Sequence, residues 1–215
     1  MLVGERMKQP VTTVSPKMPI QAALSLMRAE GIRRLPIVDE KGRLVGIVSE
    51  SDLLHASPSD ATSLSIWELN YLLSQITVSD VMTRKVITVG PDSPIEEVAR
   101  IMADNKIGGV PVVEKKKVIG IITETDLFKI FLEMLCARDP GVRLTALVPD
   151  VPGELAKLTK AIFDIGGNIL ALGTFQGEGV GTRELTMKVE GVDAQALEGA
   201  VKPHIERVID IRKIP

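Results

Sequence analysis

The chain has a single cysteine, Cys136, among its 215 residues, which excludes an intramolecular disulfide and any site built from several thiolates. Its two histidines, His55 and His204, stand far apart with no ligand spacing between them, so no metal site is expected. Aromatics make up only 3%, so Val, Ile, Leu, Ala and Met must fill the interior. Neither sign of charge dominates: 26 Lys and Arg face 28 Asp and Glu, a formal net charge of −2. That balance argues against wholesale binding to nucleic acid. No apolar run approaches the ~20 residues that span a bilayer, and the opening MLVGERMKQP lacks the apolar stretch of a signal peptide. The expectation is a cytoplasmic protein with neither a membrane nor a nucleic-acid partner.

What the sequence does have is enough apolar residue, 45%, for an ordinary core, and an internal repeat. Val3 to Leu54 matches Val78 to Phe128 at an offset of 75, which falls to 74 after Gly42. Identities fall on structural punctuation: Pro16 and Pro91, Pro19 and Pro94, Pro36 and Pro111, Gly46 and Gly120, Asp52 and Asp126. Matched prolines and glycines each fix a backbone requirement, so chance is a poor explanation.

Each copy reads as β-α-β-β-α. A short strand over Val11–Val14 leads through Ser15-Pro16 to a helix with Pro19 in its first turn. Ile20, Ala23, Leu24 and Met27 give that helix one apolar face, repeated by Ile95, Val98, Ala99 and Met102. Two strands follow, LPIVD and LVGIVS, around the turn EKGR, and a second helix begins near Asp52. One such unit buries too little surface to stand comfortably alone, so the two copies are expected to pack together.

After Arg138 the run DPG marks a boundary. VRLTALVP, NILALGTFQ, TRELTMKVEG and VIDIRKI read as strands. Between them lie a helix with Pro152 in its first turn and Gly166-Gly167 at its end, and a second helix ending near Pro203. The order β-α-β-β-α-β is a split-βαβ arrangement on one antiparallel sheet.

The motif that could carry chemistry occurs twice, as GIVSESD and GIITETD. A strand ends in a hydroxyl residue, Ser49 or Thr123, and an acid, Asp52 or Asp126, follows three residues later in the first turn of a helix. The helix N-terminus suits a phosphate, and a carboxylate can accept both hydrogen bonds of a ribose diol. Plain helix capping is the competing role for both acids; their duplication after matched strands favours the ligand role. Arg33 and Arg34 can pair with phosphate, or form a solvated pair or a salt bridge to Asp39 or Glu40. The matching Gly108 and Gly109 bring no charge, so the two sites are expected to be unequal, with the arginine-bearing one favouring phosphorylated ligands. The lysines at 115–117 read as a solvated hairpin turn, GEGVG as a flexible turn, and Cys136 as a small buried hydrophobe. Met7, Met27, Met82 and Met102 read as core residues. No catalytic triad or phosphate loop is present, so no enzymatic activity is expected.

The duplicated pattern resembles a pair of CBS domains over 1–55 and 76–135, and the third unit resembles an ACT domain on Asp150, Pro152, Gly153, Leu155, Gly167, Asn168 and Ile169. The order of the three is similar to that of the AcuB-like proteins of acetoin utilisation. The implied fold is α/β of the α+β kind: tandem β-α-β-β-α CBS repeats packed as one module, then a ferredoxin-like βαββαβ ACT domain. The expected divisions are repeat 1 at 1–55, a linker at 56–77 with a helix around Trp67, Tyr71 and Leu72 that closes over the module or makes a dimer contact, repeat 2 at 78–137, and the ACT domain at 141–215.

The resemblance further implies clefts for adenosine-containing ligands (AMP, ADP, ATP or S-adenosylmethionine) as regulatory ligands, with no required cofactor. One cleft would join Met7, Thr12, Ile32, Arg33, Arg34 and Leu35 to Thr123 and Asp126. The other would join Met82, Ile87, Ile107, Gly108, Gly109 and Val110 to Ser49 and Asp52. An amino acid at Asp150, Pro152, Gly153, Asn168 and Ile169, a homodimer and an unidentified target protein complete the expected partners of an allosteric sensor. The alternative is a non-catalytic scaffold with vestigial clefts that docks onto an enzyme or transporter.

Overall fold

The computed structural model describes residues 1–56 and 75–215; the expected linker helix around Trp67 and Tyr71 lies outside the described residues. The chain divides into two compact units, Met1–Leu127 and Phe128–Pro215.

The first unit holds both repeats. Repeat 1 comprises α1 (Val3–Arg6), α2 (Ile20–Glu30), β1 (Arg34–Val38), β2 (Leu44–Ser49) and α3 (Glu50–His55). Repeat 2 comprises α4 (Val78–Val81), α5 (Ile95–Asn105), β3 (Gly109–Glu114), β4 (Lys117–Thr123) and the start of α6 (Glu124–Met134). Pro19 and Pro94 stand at the N-caps of α2 and α5 rather than inside their first turns. Both helices end on a left-handed residue, Gly31 in the first copy and Lys106 in the second. Ile20, Ala23 and Met27 bury one face of α2, and Ile95, Val98 and Met102 the same face of α5. β1 pairs with β2, and β3 with β4, each as an antiparallel hairpin with one register shift at the same place.

The strand expected over Val11–Val14 shrinks to a single parallel rung. Val14 N–H donates to Pro36 O at 3.1 Å, and Val38 N–H to Val14 O at 3.0 Å. Extending this ladder would need an N–H from Pro36 on one side and from Pro16 on the other, and proline has none. Val89 repeats the rung between Pro111 O and Val113 N–H, flanked by Pro91 and Pro111. The matched prolines therefore set the length of this pairing to one residue in both copies.

The repeats exchange their opening segments. Lys8 and Ile121 bond reciprocally at 2.9 and 3.2 Å, adding the chain after α1 to β4 of the other repeat. Thr83 and Ile47 do the same at 2.9 and 3.0 Å, adding the chain after α4 to β2. Val78, at the start of α4, is fully buried in the core of repeat 1 with Ile20, Leu35, Ile37 and Leu53. Met7 lies over Gly120 and Met82 over Gly46, where a Cβ would strike the sulfur.

In the second unit β5 (Gly141–Pro149), β6 (Asn168–Gln176), β7 (Thr182–Glu190) and β8 (Arg207–Ile214) form one antiparallel sheet in the order β6-β7-β5-β8. Val142, Leu144, Ala146 and Val148 alternate along β5 and pack with Leu158 and Ile162 of α7 (Glu154–Asp164) and Leu197 and Val201 of α8 (Ala194–Val201). Gly153, left-handed at φ +93°, is the N-cap of α7, so Pro152 precedes the helix instead of lying in its first turn. The segment after α6 belongs with this sheet. Lys188, 5% exposed, donates from Nζ to the carbonyls of Cys136 and Asp139 at 2.6 and 2.8 Å. Cys136 is half-buried and in a left-handed conformation, with Sγ donating to Leu170 O at 3.3 Å, not the buried helical residue that its apolar neighbours suggest. Phe131 and Met134 beside it are exposed.

Emptying the α2 core position with Ile20→Ala is expected to lower stability by about 2–5 kcal/mol in urea unfolding, whereas Gln21→Ala on the exposed face stays within about 0.5 kcal/mol. Three carboxylates sit below their ordinary pKa of 3.8: Asp39 through hydrogen bonds from Arg43, Asp80 through Thr77, and Asp210 through Arg212. Their contribution is complete above about pH 5 and disappears as pH falls through the depressed folded-state values. Thermal unfolding between pH 6 and 2 should show that loss, and Asp80→Asn should diminish it.

Candidate functional site

Two clefts lie within the first unit, each at a junction between the repeats. Their anchors are the strand-to-helix turns. Ser49 N–H and Oγ both donate to Asp52 Oδ2, at 2.8 and 2.7 Å, while Ser49 Oγ accepts from Asp52 N–H at 3.2 Å. Thr123 N–H and Oγ1 donate to Asp126 Oδ2 at 2.9 and 2.7 Å. Both acids therefore do cap their helices, through one oxygen each. Oδ1 of each carboxylate is left for another donor among the described residues, and both residues line a cleft.

The Thr123 cleft, about 180 Å³, brings Thr12, Ile32, Arg33 and Arg34 to Thr123 and Asp126, as the sequence predicts. Lys8, Gly31, Ile121 and Thr125 also line it. The Ser49 cleft, about 310 Å³, brings Ile87, Ile107, Gly108 and Gly109 to Ser49 and Asp52. To these it adds Arg34, Ile47, Thr83, Lys85, Val86 and Lys106. Four predicted residues line neither cleft. Leu35 and Val110 are fully buried, because strand alternation turns them into the core beside outward-facing neighbours. Met7 and Met82 are occupied over Gly120 and Gly46.

The largest departure from expectation is electrostatic. The glycine-bearing cleft is not poor in charge: Arg34, Lys85 and Lys106 line it with one acid, Asp52. The other cleft matches it, with Lys8, Arg33 and Arg34 beside Asp126. The reason is the reach of Arg34. It faces Ser49 across the β1–β2 hairpin, and its side chain crosses to the other repeat. A Cβ on Gly108 would collide with Arg34 Nη2 and lie 2.6 Å from Glu124 Oε2; one on Gly109 would lie 2.9 Å from Arg34 Cδ. The glycine pair is the space that the arginine fills. Burial holds the Arg34 guanidinium below its ordinary pKa, with Arg33 acting in the same sense, while Glu124 and Asp52 oppose them. Asp39 is taken by Arg43 at 2.7 Å, so it is not the partner of the arginine pair.

Backbone bonds fix these positions. Glu50 N–H donates to Arg33 O at 2.9 Å, and Glu124 N–H to Gly108 O at 3.1 Å, tying each helix start to the strand entry of its own hairpin. Lys8 and Lys85 were missed because sequence pattern alone does not show the segment exchange, and Lys106 because it ends the helix just before the predicted run at Ile107. One signal was present: Lys106 stands where repeat 1 has Gly31, and a lysine in a left-handed C-cap is uncommon enough to mark a site.

In the second unit Asp150, Pro152 and Gly153 line a hollow of about 390 Å³ with Leu155, Thr174 and Arg183. Asp150 Oδ1 accepts from Arg183 Nε at 2.8 Å. Asn168 and Ile169 are not there. Asn168 Nδ2 donates to Glu190 Oε1 at 2.7 Å, and Ile169 packs against the core. Glu190 and Arg183 stand at opposite ends of β7, about 23 Å apart at the strand rise of ~3.3 Å per residue. Within this chain the residues of the expected amino-acid site are not brought together.

The chain matches the CBS domain family over residues 3–59 and 78–133, and the TTHA0829-like ACT domain over 140–212. A CBS domain-containing protein of Dictyostelium discoideum is 32% identical over 135 residues, 62% of this chain and 93% of that protein. The L-aspartate semialdehyde sulfurtransferase of Methanocaldococcus jannaschii is 34% identical over 131 residues, but the chain spans only 23% of that enzyme. Among solved structures, the CBS domain pair of protein MJ0100 in complex with 5′-methylthioadenosine and S-adenosyl-L-methionine is 33% identical at a TM-score of 0.51, covering 61% of this chain and 95% of that one. CBSX2 in complex with AMP is 30% identical at 0.52, covering 61% and 96%. A Vibrio cholerae protein assigned to acetoin utilization (AcuB) is 33% identical at 0.54, covering 64% and 95%. With two hairpin repeats that complete each other and, later in the chain, a split-βαβ sheet, the chain belongs to the CBS domain family, as a tandem pair followed by a TTHA0829-like ACT domain.

Proposed function

We propose that the chain is a regulatory sensor whose two clefts bind phosphorylated adenosine ligands, AMP, ADP or ATP. The observation that carries this is the lining of each cleft: a hydroxyl residue and an aspartate with one free carboxylate oxygen at a helix start, faced by three cations. A ribose diol suits the carboxylate, and a phosphate suits the cations and helix start. S-adenosylmethionine, with its sulfonium and ammonium groups, meets a surplus of like charge there. The related pairs solved with AMP and with adenosyl compounds support the ligand class. Binding acts on function only insofar as it favours one arrangement of the protein over another, and the output is passed to a separate target protein. No helix among the described residues is long and apolar enough to cross a membrane.

The second unit would supply a pairing surface. All four phenylalanines are exposed, and Phe163 and Phe175 of this unit are 72% and 49% exposed. Burying such side chains against a second copy would return about 1.5–3 kcal/mol each, and a dimer would bring the Asp150 hollow of one protomer within range of its partner's surface.

Titration calorimetry should show AMP binding, and AMP at 100 times its Kd should add about 2.7 kcal/mol to stability. Asp126→Ala should both weaken AMP at the Thr123 cleft at least about tenfold and lower stability by about 1 kcal/mol through the lost cap. A loss of stability with unchanged affinity would reduce Asp126 to a cap. Absence of any response to adenosine compounds would favour the scaffold reading. In analytical ultracentrifugation the chain should sediment as a dimer, and Phe163→Glu with Phe175→Glu should yield monomers.

A further inference from the structure

Arg34 is the one residue that lines both clefts among the described residues. We propose that it is a single anion anchor shared between them, so that a phosphate held in one cleft deprives the other and the two sites bind phosphorylated ligands antagonistically. This rests on reading the clefts as adenosine-nucleotide sites and adds a coupling between them.

The argument starts from the broken repeat. At the entry of β1 the chain has Arg33-Arg34, and at the matching entry of β3 it has Gly108-Gly109. Where a faithful duplication would place two guanidiniums facing each other, there is one. Its stem runs against Gly109, which confines it, and its head lies over Gly108 beside the Glu124 carboxylate. Glu124 opens α6 two residues ahead of Asp126 of the Thr123 cleft, while on the other side Asp52 of the Ser49 cleft is close enough to act on the same charge. Arg34 thus stands half-buried between Glu124 and Asp52. A guanidinium presents one planar fork and grips one phosphate in bidentate fashion. The remaining cations are dedicated: Lys8 and Arg33 to one cleft, Lys85 and Lys106 to the other. Each cleft therefore keeps affinity of its own and competes for the shared part.

The test uses the full chain, AMP and adenosine in titration calorimetry, with Asp52→Asn and Asp126→Asn each leaving one working cleft. Arg34→Gln should weaken AMP about tenfold in both single-cleft proteins and leave adenosine unchanged. In the otherwise unaltered chain the product of the two AMP association constants should fall by about the same tenfold, rather than the roughly hundredfold that two independent anchoring events would give. A loss in only one single-cleft protein would make Arg34 the property of that cleft and overturn the sharing. A hundredfold fall in the product, or equal weakening of adenosine, would overturn it as well. If neither Asn substitution removes a binding step, the ribose assignment itself fails and the shared anchor falls with it.

Discussion

The reciprocal exchange of opening segments is the constraint on which the first unit depends. A two-stranded hairpin on its own is marginal in water. Here neither hairpin is left at two strands. Lys8 adds a rung to β4, and Thr83 adds one to β2. Each incoming segment carries a buried valine and a methionine that lies on a glycine of the receiving strand. Glycine is needed at 46 and 120 because the thioether occupies the place of a side chain. The clefts follow from this exchange: Lys8 reaches the Thr123 turn, and Thr83 and Lys85 reach the Ser49 turn, only because their segments cross over.

Much of this was legible in the sequence because the repeat is written in residues with strict backbone demands. Pro19 and Pro94 located two helix starts to within a residue, and the Ser49–Asp52 and Thr123–Asp126 spacings located the two hydrogen-bonded strand-to-helix turns that line the clefts. The period-2 and 3.6-residue patterns gave the hairpins, α2, α5 and the four strands of the second unit. What pattern reading lacked was partnership. The apolar run at Val11–Val14 looks like a strand until the missing N–H groups of Pro16 and Pro36 are counted on the opposing chain. Leu35 and Val110 share a motif with cleft residues, yet alternate into the core. Arg34 was assigned to the Thr123 cleft alone because a sequence does not show how far a long side chain crosses.

The second unit illustrates the same limit. Its topology was readable from glycine and proline placement, but Asp150 and Asn168, which the family resemblance groups, are separated by the length of β7 and each has its own ionic or amide partner. Lys188 gives another case. Nothing local in TMKVE marks a lysine as interior, yet Lys188 is buried and its ammonium gathers two carbonyls of the turn after α6.

The arginine laid across two glycines has a wider consequence for how such a unit can be assembled. Two identical chains pairing about a symmetry axis would bring identical residues to that axis. Arginine there twice would crowd like charges, and glycine there twice would leave a void. A polypeptide that encodes its halves separately can set bulk on one side against emptiness on the other. Letting the halves differ in sequence is thus what permits the lopsided filling of the axis.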